Sequence, residues 1–374
     1  MATTFEASNA SNASDVRTAQ SRTPVARQIR PVVVWASIGA IFVAMEIYSF
    51  ASWILSGRAT PTPTGVTPVP TRDYVIGLIT EVGTVTAVIA TIVYVVRGCL
   101  RERRWTFDAS LLCGSVLMTW QDPGINYLVG QFSYSSVLFN FGSWTSDMPG
   151  WVSPRANLMP ETLLTLLSYF FFAGIVIGTC GLLRKFVVPR FPNMSNAKMI
   201  ALICVLMILL DFIMETTMVH GHLFAYYSVI ESWTLWPGTD HQFPIYESLV
   251  WGLTGWAPIV VLRWFRDDKG RSFVERGLDR MRISNKYKNV LTVLAIAAAT
   301  NFGYFGYNLA FAFIGTQVDL DNSRAYPSYL INSLCGEGTP YPCPDVTKGR
   351  PIPVGGAPAD ANTIPGPRWW DLPK

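Results

Sequence analysis

Residues 198–219 read KMIALICVLMILLDFIMETTMV, and this stretch decides the fold class. Only Lys198, Asp211 and Glu215 carry charge in it, and the rest is almost wholly apolar. A bilayer core requires about 20 mainly apolar residues per helix. Because lipid offers no partner for an open backbone amide, such a run is predicted to be a transmembrane α-helix.

Other stretches of similar length and hydropathy occur along the chain: 31–56, 74–97, 107–130, 161–183, 243–265 and 288–314. The stretch 107–130 is the weakest, because WQDPG at 120–124 interrupts it, and we expect a kinked span or a re-entrant segment there. The sequence therefore predicts an all-α, polytopic bundle of about seven spans over residues 31–315.

Composition and the two ends of the chain agree with this fold class. Charged residues make up 14% of the chain, and mean hydropathy is +0.29, whereas soluble domains carry about 25% charged residues. Residues 1–30 are rich in Ser, Thr, Ala and Asn and are predicted to be a disordered cytoplasmic arm without a cleavable signal peptide. Residues 316–374 are rich in Pro and Gly and are predicted to be an extracytoplasmic tail.

Basic residues alternate from loop to loop. Four predicted segments are basic: the amino-terminal arm, 97–104, 184–198 and 263–288. The loops between them are poor in Lys and Arg, and 220–242 contains none. The positive-inside rule then places the amino terminus in the cytoplasm. Seven spans place the tail outside, in a multi-pass protein of the cell membrane.

Two cysteines fall in that tail, within CGEGTPYPC at 335–343. Disulfides persist in oxidising compartments, so we expect a Cys335–Cys343 bridge, the alternative being two free thiols. The other four cysteines fall in helices or on the cytoplasmic side, where reduced thiols are expected.

Carboxylates inside the predicted spans share a depth. A charge in hydrocarbon costs about 2.5–3.5 kcal/mol on insertion scales, so each needs a partner or a function. Those in the half that faces outside are Glu46, Glu81, Asp122, Asp211, Glu215 and Glu247. Their common level favours one polar site, and the alternative is that each pairs two helices separately.

Helical spacing groups some of these residues. Asp211 and Glu215 are four apart and share a face, and His222 would join that face if the helix continued. Asn301, Tyr304 and Asn308 form a polar stripe at spacings of three and four. We predict Asp122, Asp211, Glu215 and Glu247 as an acid/base set. The predicted substrate-binding residues, which would line a polar cavity opening outward, are Glu46, Glu81, Trp120, His222, His241, Tyr246, Asn301, Tyr304 and Asn308.

Other chemistries find little support. His220 and His222, with His241 and the nearby acids, offer enough ligand atoms for a transition metal, but H-x-H in a loop is not a specific spacing. The chain lacks a P-loop and a G-x-S-x-G elbow. We therefore predict no metal and no cofactor. Topology and anionic lipid account for the basic loops, so no nucleic-acid partner is expected. Residues 272–288 are predicted to lie on the membrane as an amphipathic helix.

Several strings resemble the AveC-like spirocyclase family, known from avermectin biosynthesis. They are TWQDP at 119–123, LLDFIMETTMVHGHLFAYY at 209–227, GTDHQFPIYES at 238–248, RWFRDDKGRSFVERGLD at 263–279 and YPSYLINSLCGEGTPYPCP at 326–344. The resemblance covers roughly 107–345. It implies a membrane enzyme of secondary metabolism that closes a dihydroxy-ketone of a polyketide into a spiroketal and, in some members, acts as a dehydratase.

The residues suit that chemistry, because one neutral carboxylic acid can donate a proton while an ionised carboxylate accepts another. A hydrophobic small molecule, polyketide or lipid-like, is the expected partner besides membrane lipids. Two alternatives remain open. One is a proton-coupled carrier of a hydrophobic solute. The other is a non-catalytic subunit of a membrane lipid or polyketide assembly.

Overall fold

The computed structural model describes residues 30–65, 67–124, 132–149, 160–226, 229–315, 317 and 326–331. Long apolar helices in these residues are α1 (Pro31–Leu55), α2 (Thr71–Glu102), α4 (Leu163–Val187), α5 (Asn196–His220), α6 (Ile245–Trp264) and α7 (Asn285–Ile314). These six helices are long and apolar enough to cross a membrane. Each agrees with a predicted stretch to within five residues at either end, which confirms the all-α, multi-span fold. The predicted partners Cys335 and Cys343 lie outside the described residues.

The third predicted segment is not a long helix. Helix α3 (Phe107–Val116) has ten residues, about 15 Å of helix, and a 3₁₀ turn at Thr119–Gln121 follows it. The segment nevertheless climbs alongside α7, whose side chains donate to its carbonyl groups in order: Thr300 to Gly114, Asn301 to Leu117 and Asn308 to Gln121. Among the described residues, the predicted set of about seven spans, with a kinked or re-entrant third, therefore corresponds to six long helices and one broken segment.

The broken segment approaches α7 closely. A Cβ atom at Gly124 would lie 2.6 Å from Asn308 Nδ2, so a larger residue there would have to displace the Asn308 side chain. Pro123 has no backbone N–H to continue an α-helical ladder. The WQDPG interruption thus brings Asp122 against the middle of the bundle.

The loops meet at two ends of the bundle. At one end, which we call the outer end, Tyr329 of the short helix α8 (Ser328–Ile331) donates to Asp73 Oδ2 at 2.9 Å, and Arg58 pairs with Asp147. Strand β1 (Phe132–Tyr134) pairs antiparallel with β2 (Phe224–Tyr226), and β3 (Thr234–Leu235) with β4 (Phe243–Pro244). The loops predicted to be extracytoplasmic therefore share one end, while the side of the membrane that this end faces stays a prediction.

The opposite, inner end is built on ionic contacts. Arg263 donates to both carboxylate oxygens of Asp108 at 2.9 and 2.8 Å. The predicted amphipathic helix at 272–288 is wrong, because the segment forms 3₁₀ turns at Phe273–Glu275 and Leu278–Arg280. Glu275 folds back to accept from the Ser272 backbone amide at 2.8 Å. Gly277 then takes a φ of 91°, which ends any continuous helix.

Candidate active site

Three predicted acids converge in the outer half of the bundle. Asp211 and Glu215 from α5 and Glu247 from α6 each place a carboxylate oxygen within 4.8 Å of the others. The first two share a face of α5 as the spacing predicted, and Glu247 enters near the start of α6, directly after strand β4. We call these three residues the α5–α6 acid cluster.

Neutral donors surround the α5–α6 acid cluster. They are Trp256 Nε1 to Asp211 Oδ1 at 3.1 Å, the Tyr226 hydroxyl to Glu215 Oε2 at 3.0 Å and the Tyr307 hydroxyl to Glu247 Oε1 at 3.0 Å. A π-helical turn in α6, Gly252–Trp256, holds the Trp256 indole, which stacks on Phe172 with ring centroids 4.3 Å apart. Such turns are frequent at functional sites.

Among the described residues, the cluster has no cation of its own. No Lys or Arg pairs with its three members in the part of the chain that the structure describes. Carboxylate oxygens of Asp211 and Glu247 lie within 4.8 Å of each other. Two ionised carboxylates this close repel each other, which favours one proton on the pair.

Asp122 forms the centre of a second group. Its Oδ1 lies within hydrogen-bonding distance of three tyrosine hydroxyls: Tyr304 at 2.9 Å, Tyr134 at 3.3 Å and Tyr169. The carboxyl group of Glu161, just before α4, also contacts Asp122. We call these five residues the Asp122 cluster.

One face of α7 connects the two clusters. Tyr304 donates to Asp122 and Tyr307 to Glu247. The Trp251 ring packs between these tyrosines, with centroid distances of 5.1 Å to Tyr304 and 4.8 Å to Tyr307. Aromatic rings therefore stand between the two clusters, and the predicted polar cavity opening outward stays a prediction. A groove of about 450 Å³ lies at the inner end, lined by α2 residues such as Tyr94 and Arg101 and by Asp108.

Tyrosines carried by the outer loops act as neutral donors. Burial raises the pKa of Tyr226 well above its ordinary value. Burial raises the pKa of Tyr134 in the same way, and the charge of Asp122 adds to the effect. Both hydroxyls therefore keep their protons at neutral pH and donate to the carboxyl groups below them.

Some residues predicted to bind substrate join the third segment to α7. Trp120 Nε1 donates to Asn301 Oδ1 at 2.9 Å, and Asn308 donates to the Gln121 carbonyl at 3.2 Å. The polar stripe on α7 is therefore real, but its two asparagines hold helices together. Tyr304 is the member that reaches an acid.

Other predicted residues lie apart from the convergent acids. Glu81 accepts from the Phe139 backbone amide at 2.7 Å and so fixes an outer loop. Glu46 is buried on α1, and its Oε2 has no hydrogen-bond partner among the described residues. Tyr246 packs on Phe311 at a centroid distance of 5.9 Å. Of the six acids predicted to share a depth, four therefore lie in the two clusters.

The histidines occupy the outer end. Helix α5 ends at His220, so His222, with a φ of 52°, leaves the face of Glu215. Its Nδ1 lies 2.8 Å from Asp73 Oδ2 and its Nε2 3.4 Å from Asp240 Oδ2. His241 Nδ1 contacts Asp240 Oδ1 at 2.9 Å. Burial alone would raise the pKa of Asp240, but the His241 hydrogen bond and the charges of His222 and His241 hold it below its ordinary value.

The metal alternative built on histidines and acids together finds no support among the described residues, because His222 contacts Asp73 and Asp240, His241 contacts Asp240, and His220 Nδ1 contacts the Thr216 carbonyl oxygen at 2.7 Å. The described group that could hold a metal is the α5–α6 acid cluster. Its ligands are all carboxylate oxygens, which suit Mg²⁺, Ca²⁺ or Mn²⁺.

Sequence reasoning missed several residues that form or contact the two clusters. It did not select Glu161, Tyr134, Tyr169, Tyr226 or Trp256. Tyr169 carried a usable signal, since it stands in an apolar span where a hydroxyl group needs a partner. Glu161 carried a weaker signal, because it is the first residue of the predicted span 161–183, where a carboxylate can reach water.

The chain matches a known protein family. The family described as "Spirocyclase AveC-like" matches residues 102–330, more than half of the chain. This chain belongs to the AveC-like spirocyclase family. The matched region runs from the end of α2 to α8 and contains both acid clusters, and membership supports a spirocyclase-type function. No curated protein and no solved structure matches the chain.

Proposed function

We propose that this AveC-like chain is a membrane-embedded, cofactor-independent enzyme that closes a hydrophobic dihydroxy-ketone into a spiroketal. The supporting observation is the convergence of Asp211, Glu215 and Glu247 without any cation among the described residues. Uncompensated carboxyls at this depth are costly for a fold and suited to moving protons.

The reaction needs two proton movements in balance. A carboxylic acid protonates the ketone oxygen while the first hydroxyl adds to the carbonyl carbon and gives its proton to a carboxylate. Protonation of the resulting hemiketal hydroxyl releases water and leaves an oxocarbenium ion. The second hydroxyl closes the other ring, and its proton returns to a carboxylate. One water leaves per turnover, and the enzyme regains its starting protonation.

The α5–α6 acid cluster supplies both partners. We assign the acid to Asp211 and Glu247, with one proton on the pair, and the base to Glu215, the least buried of the three. Asp122 assists as a second acid/base group one aromatic layer away. The Trp251 face stabilises the cation formed when water leaves.

The surroundings of the acids indicate the substrate class. Apolar helices enclose the acids, so a polyketide or lipid-like molecule reaches them from the bilayer. The outer loops with Tyr226 and Tyr134 cover the site, which keeps bulk water from trapping the cation.

Turnover measurements on matched variants test this proposal. Glu215→Gln and Glu247→Gln, reconstituted in lipid nanodiscs with a dihydroxy-ketone, are expected to lose about 100-fold or more of the spiroketal-forming rate. Glu102→Gln, an exposed acid at the end of α2, serves as control and should keep the wild-type rate. Full turnover by folded Glu215→Gln and Glu247→Gln would remove these acids from the reaction.

Two outcomes would favour one of the alternative functions over an enzyme. Proton-driven flux of an intact ketone across liposomes, without cyclisation, would indicate a carrier. Copurification with a stoichiometric partner, together with unchanged function after both substitutions, would indicate an assembly subunit. Comparing the lipids and polyketides of cells with and without the gene would identify the natural substrate.

A further inference from the structure

The groove at the inner end follows the last turns of α2 and the start of α3. Its walls come from α2 between Ala90 and Glu102, together with Thr106 and Asp108, and its volume is about 450 Å³. Helix α2 is the least buried of the six long helices, and Ala90 and Val93 are exposed. In a membrane this groove therefore faces lipid and not the interior of the bundle.

The groove has an apolar part and a charged part at different depths. Helix α2 has 32 residues, which is about 48 Å of helix, whereas the hydrocarbon core is about 30 Å thick. The last turns of α2 therefore extend to the level of the lipid headgroups. Arg97 and Arg101 line the groove there, while Ala90 and Val93 line it nearer the middle of the membrane. A phospholipid has the same order of charged and apolar parts.

The charged part of the groove has an excess of positive charge. Its two acids already have cations, since Glu102 pairs with Arg104 at 2.6 Å and Asp108 accepts from Arg263 at 2.9 and 2.8 Å.

Arg97 and Arg101, in contrast, have no ion-pair partner among the described residues. They are four apart on α2 and therefore neighbours on its surface, where like charges destabilise a helix. An anion that contacts both guanidinium groups would offset this repulsion.

We propose that this groove binds one anionic phospholipid, whose phosphate contacts Arg97 and Arg101 and whose acyl chain lies along Ala90 and Val93. The planar fork of a guanidinium group matches the oxygens of a phosphate. A zwitterionic lipid also carries an ammonium group, and both acids of the groove are already paired, so the groove favours a lipid with net negative charge. The inner end is predicted to be cytoplasmic, and the cytoplasmic leaflet carries the anionic lipids.

Native mass spectrometry of the purified chain in detergent, titrated with dioleoyl-phosphatidylglycerol or dioleoyl-phosphatidylcholine, tests this proposal. We expect one phosphatidylglycerol to bind the wild type in preference to phosphatidylcholine. Arg97→Gln with Arg101→Gln is expected to weaken phosphatidylglycerol binding about 30-fold, because each arginine near a membrane surface contributes about fivefold. Equal affinity of the wild type for the two lipids would overturn the proposal.

The matched control removes two charges outside the groove. Arg280 and Arg282 are exposed at the inner end and do not line it, so Arg280→Gln with Arg282→Gln should bind phosphatidylglycerol as the wild type does. Equal weakening in the two double variants would show a general attraction of charge and would also overturn the proposal.

A substitution that keeps every charge tests the groove itself. A Cβ atom added at Gly98 would meet no atom of the described residues within 4 Å, so Gly98→Leu extends into the groove without disturbing α2. We expect this variant to lose the preference for phosphatidylglycerol. Gly83→Leu is the matched control, since Gly83 is exposed on α2 away from the groove and an added Cβ there is equally free. Unchanged lipid binding by Gly98→Leu would place the lipid elsewhere and contradict the proposal.

A soluble headgroup distinguishes a lipid site from a phosphate site. Glycerol 1-phosphate carries the phosphate without acyl chains, and it should fail to displace phosphatidylglycerol at equal concentration because it gains nothing from the apolar walls. Displacement would overturn the assignment to a lipid. None of these measurements adds a ketone, so the lipid site and the proposed spiroketal formation can each fail without the other.

Discussion

Arg263–Asp108 at the inner end and Asp211–Glu247 in the outer half are both buried ionisable pairs, but they have opposite partners. Arg263 reaches both oxygens of Asp108, so the charge is compensated within the pair. Asp211 meets another acid and neutral donors such as Trp256. The first arrangement stabilises the fold, and the second is the one to which we assign proton transfer in the proposed reaction.

The difference shows why family strings can serve separate purposes. RWFRDDKGRSFVERGLD at 263–279 builds the inner end through Arg263, Arg271 and Glu275. GTDHQFPIYES at 238–248 instead ends in Glu247, inside the α5–α6 acid cluster. A distinctive string is therefore not by itself a sign of catalysis, and the charge of its partners separates the two cases.

The largest expected effect is at the inner end. Arg263→Gln leaves the partly buried Asp108 carboxylate without its partner, so we expect the free energy of unfolding to fall by about 1.5–3 kcal/mol, the range for hydrogen bonds to charged groups. Denaturation of the protein in mixed micelles measures this loss.

A double substitution sharpens the interpretation. Arg263→Met with Asp108→Leu removes both charges and should recover most of the lost stability, because an apolar pair of similar size avoids desolvation. Equal losses in the single and double variants would show that the pair acts through shape and not through charge.

A smaller effect is expected in the outer half. Tyr307→Phe removes one neutral donor from Glu247, and we expect a loss of about 1 kcal/mol of stability. Tyr287→Phe, at an exposed position near the start of α7, is the matched control and should change stability very little. A loss as large as that of Arg263→Gln would mean that Glu247 carries a full charge that depends on Tyr307.

Hydropathy and charge alternation sufficed to predict the long helices, because each span has to bury its backbone in lipid whatever its neighbours are. The four acids of the clusters could also be selected, since any carboxylate in a span is costly. Their grouping could not be predicted in full, because Glu46 and Glu81 share the depth but lie apart from the two clusters. The contact between Asp122 and Glu161 could not be predicted from helical spacing. Glu161 precedes α4 and approaches Asp122 only in the folded chain.

Local geometry accounts for the predictions that were wrong. Residues 272–288 have the periodicity of an amphipathic helix, but Gly277 turns the chain and Glu275 bonds to Ser272. His222 has the right spacing from Glu215, but α5 ends two residues earlier. In both cases a turn interrupts the helix, and hydropathy does not predict that turn.

The central claim is that acids without cations in the outer half perform the chemistry, while acids with cations at the inner end do not. Initial rates of spiroketal formation by Asp211→Asn and Asp279→Asn in the same nanodiscs test it, since Asp279 pairs with Arg271 at the inner end. We predict that Asp211→Asn loses about 100-fold or more of the rate and that Asp279→Asn keeps it. Equal rates in two folded variants would contradict the account.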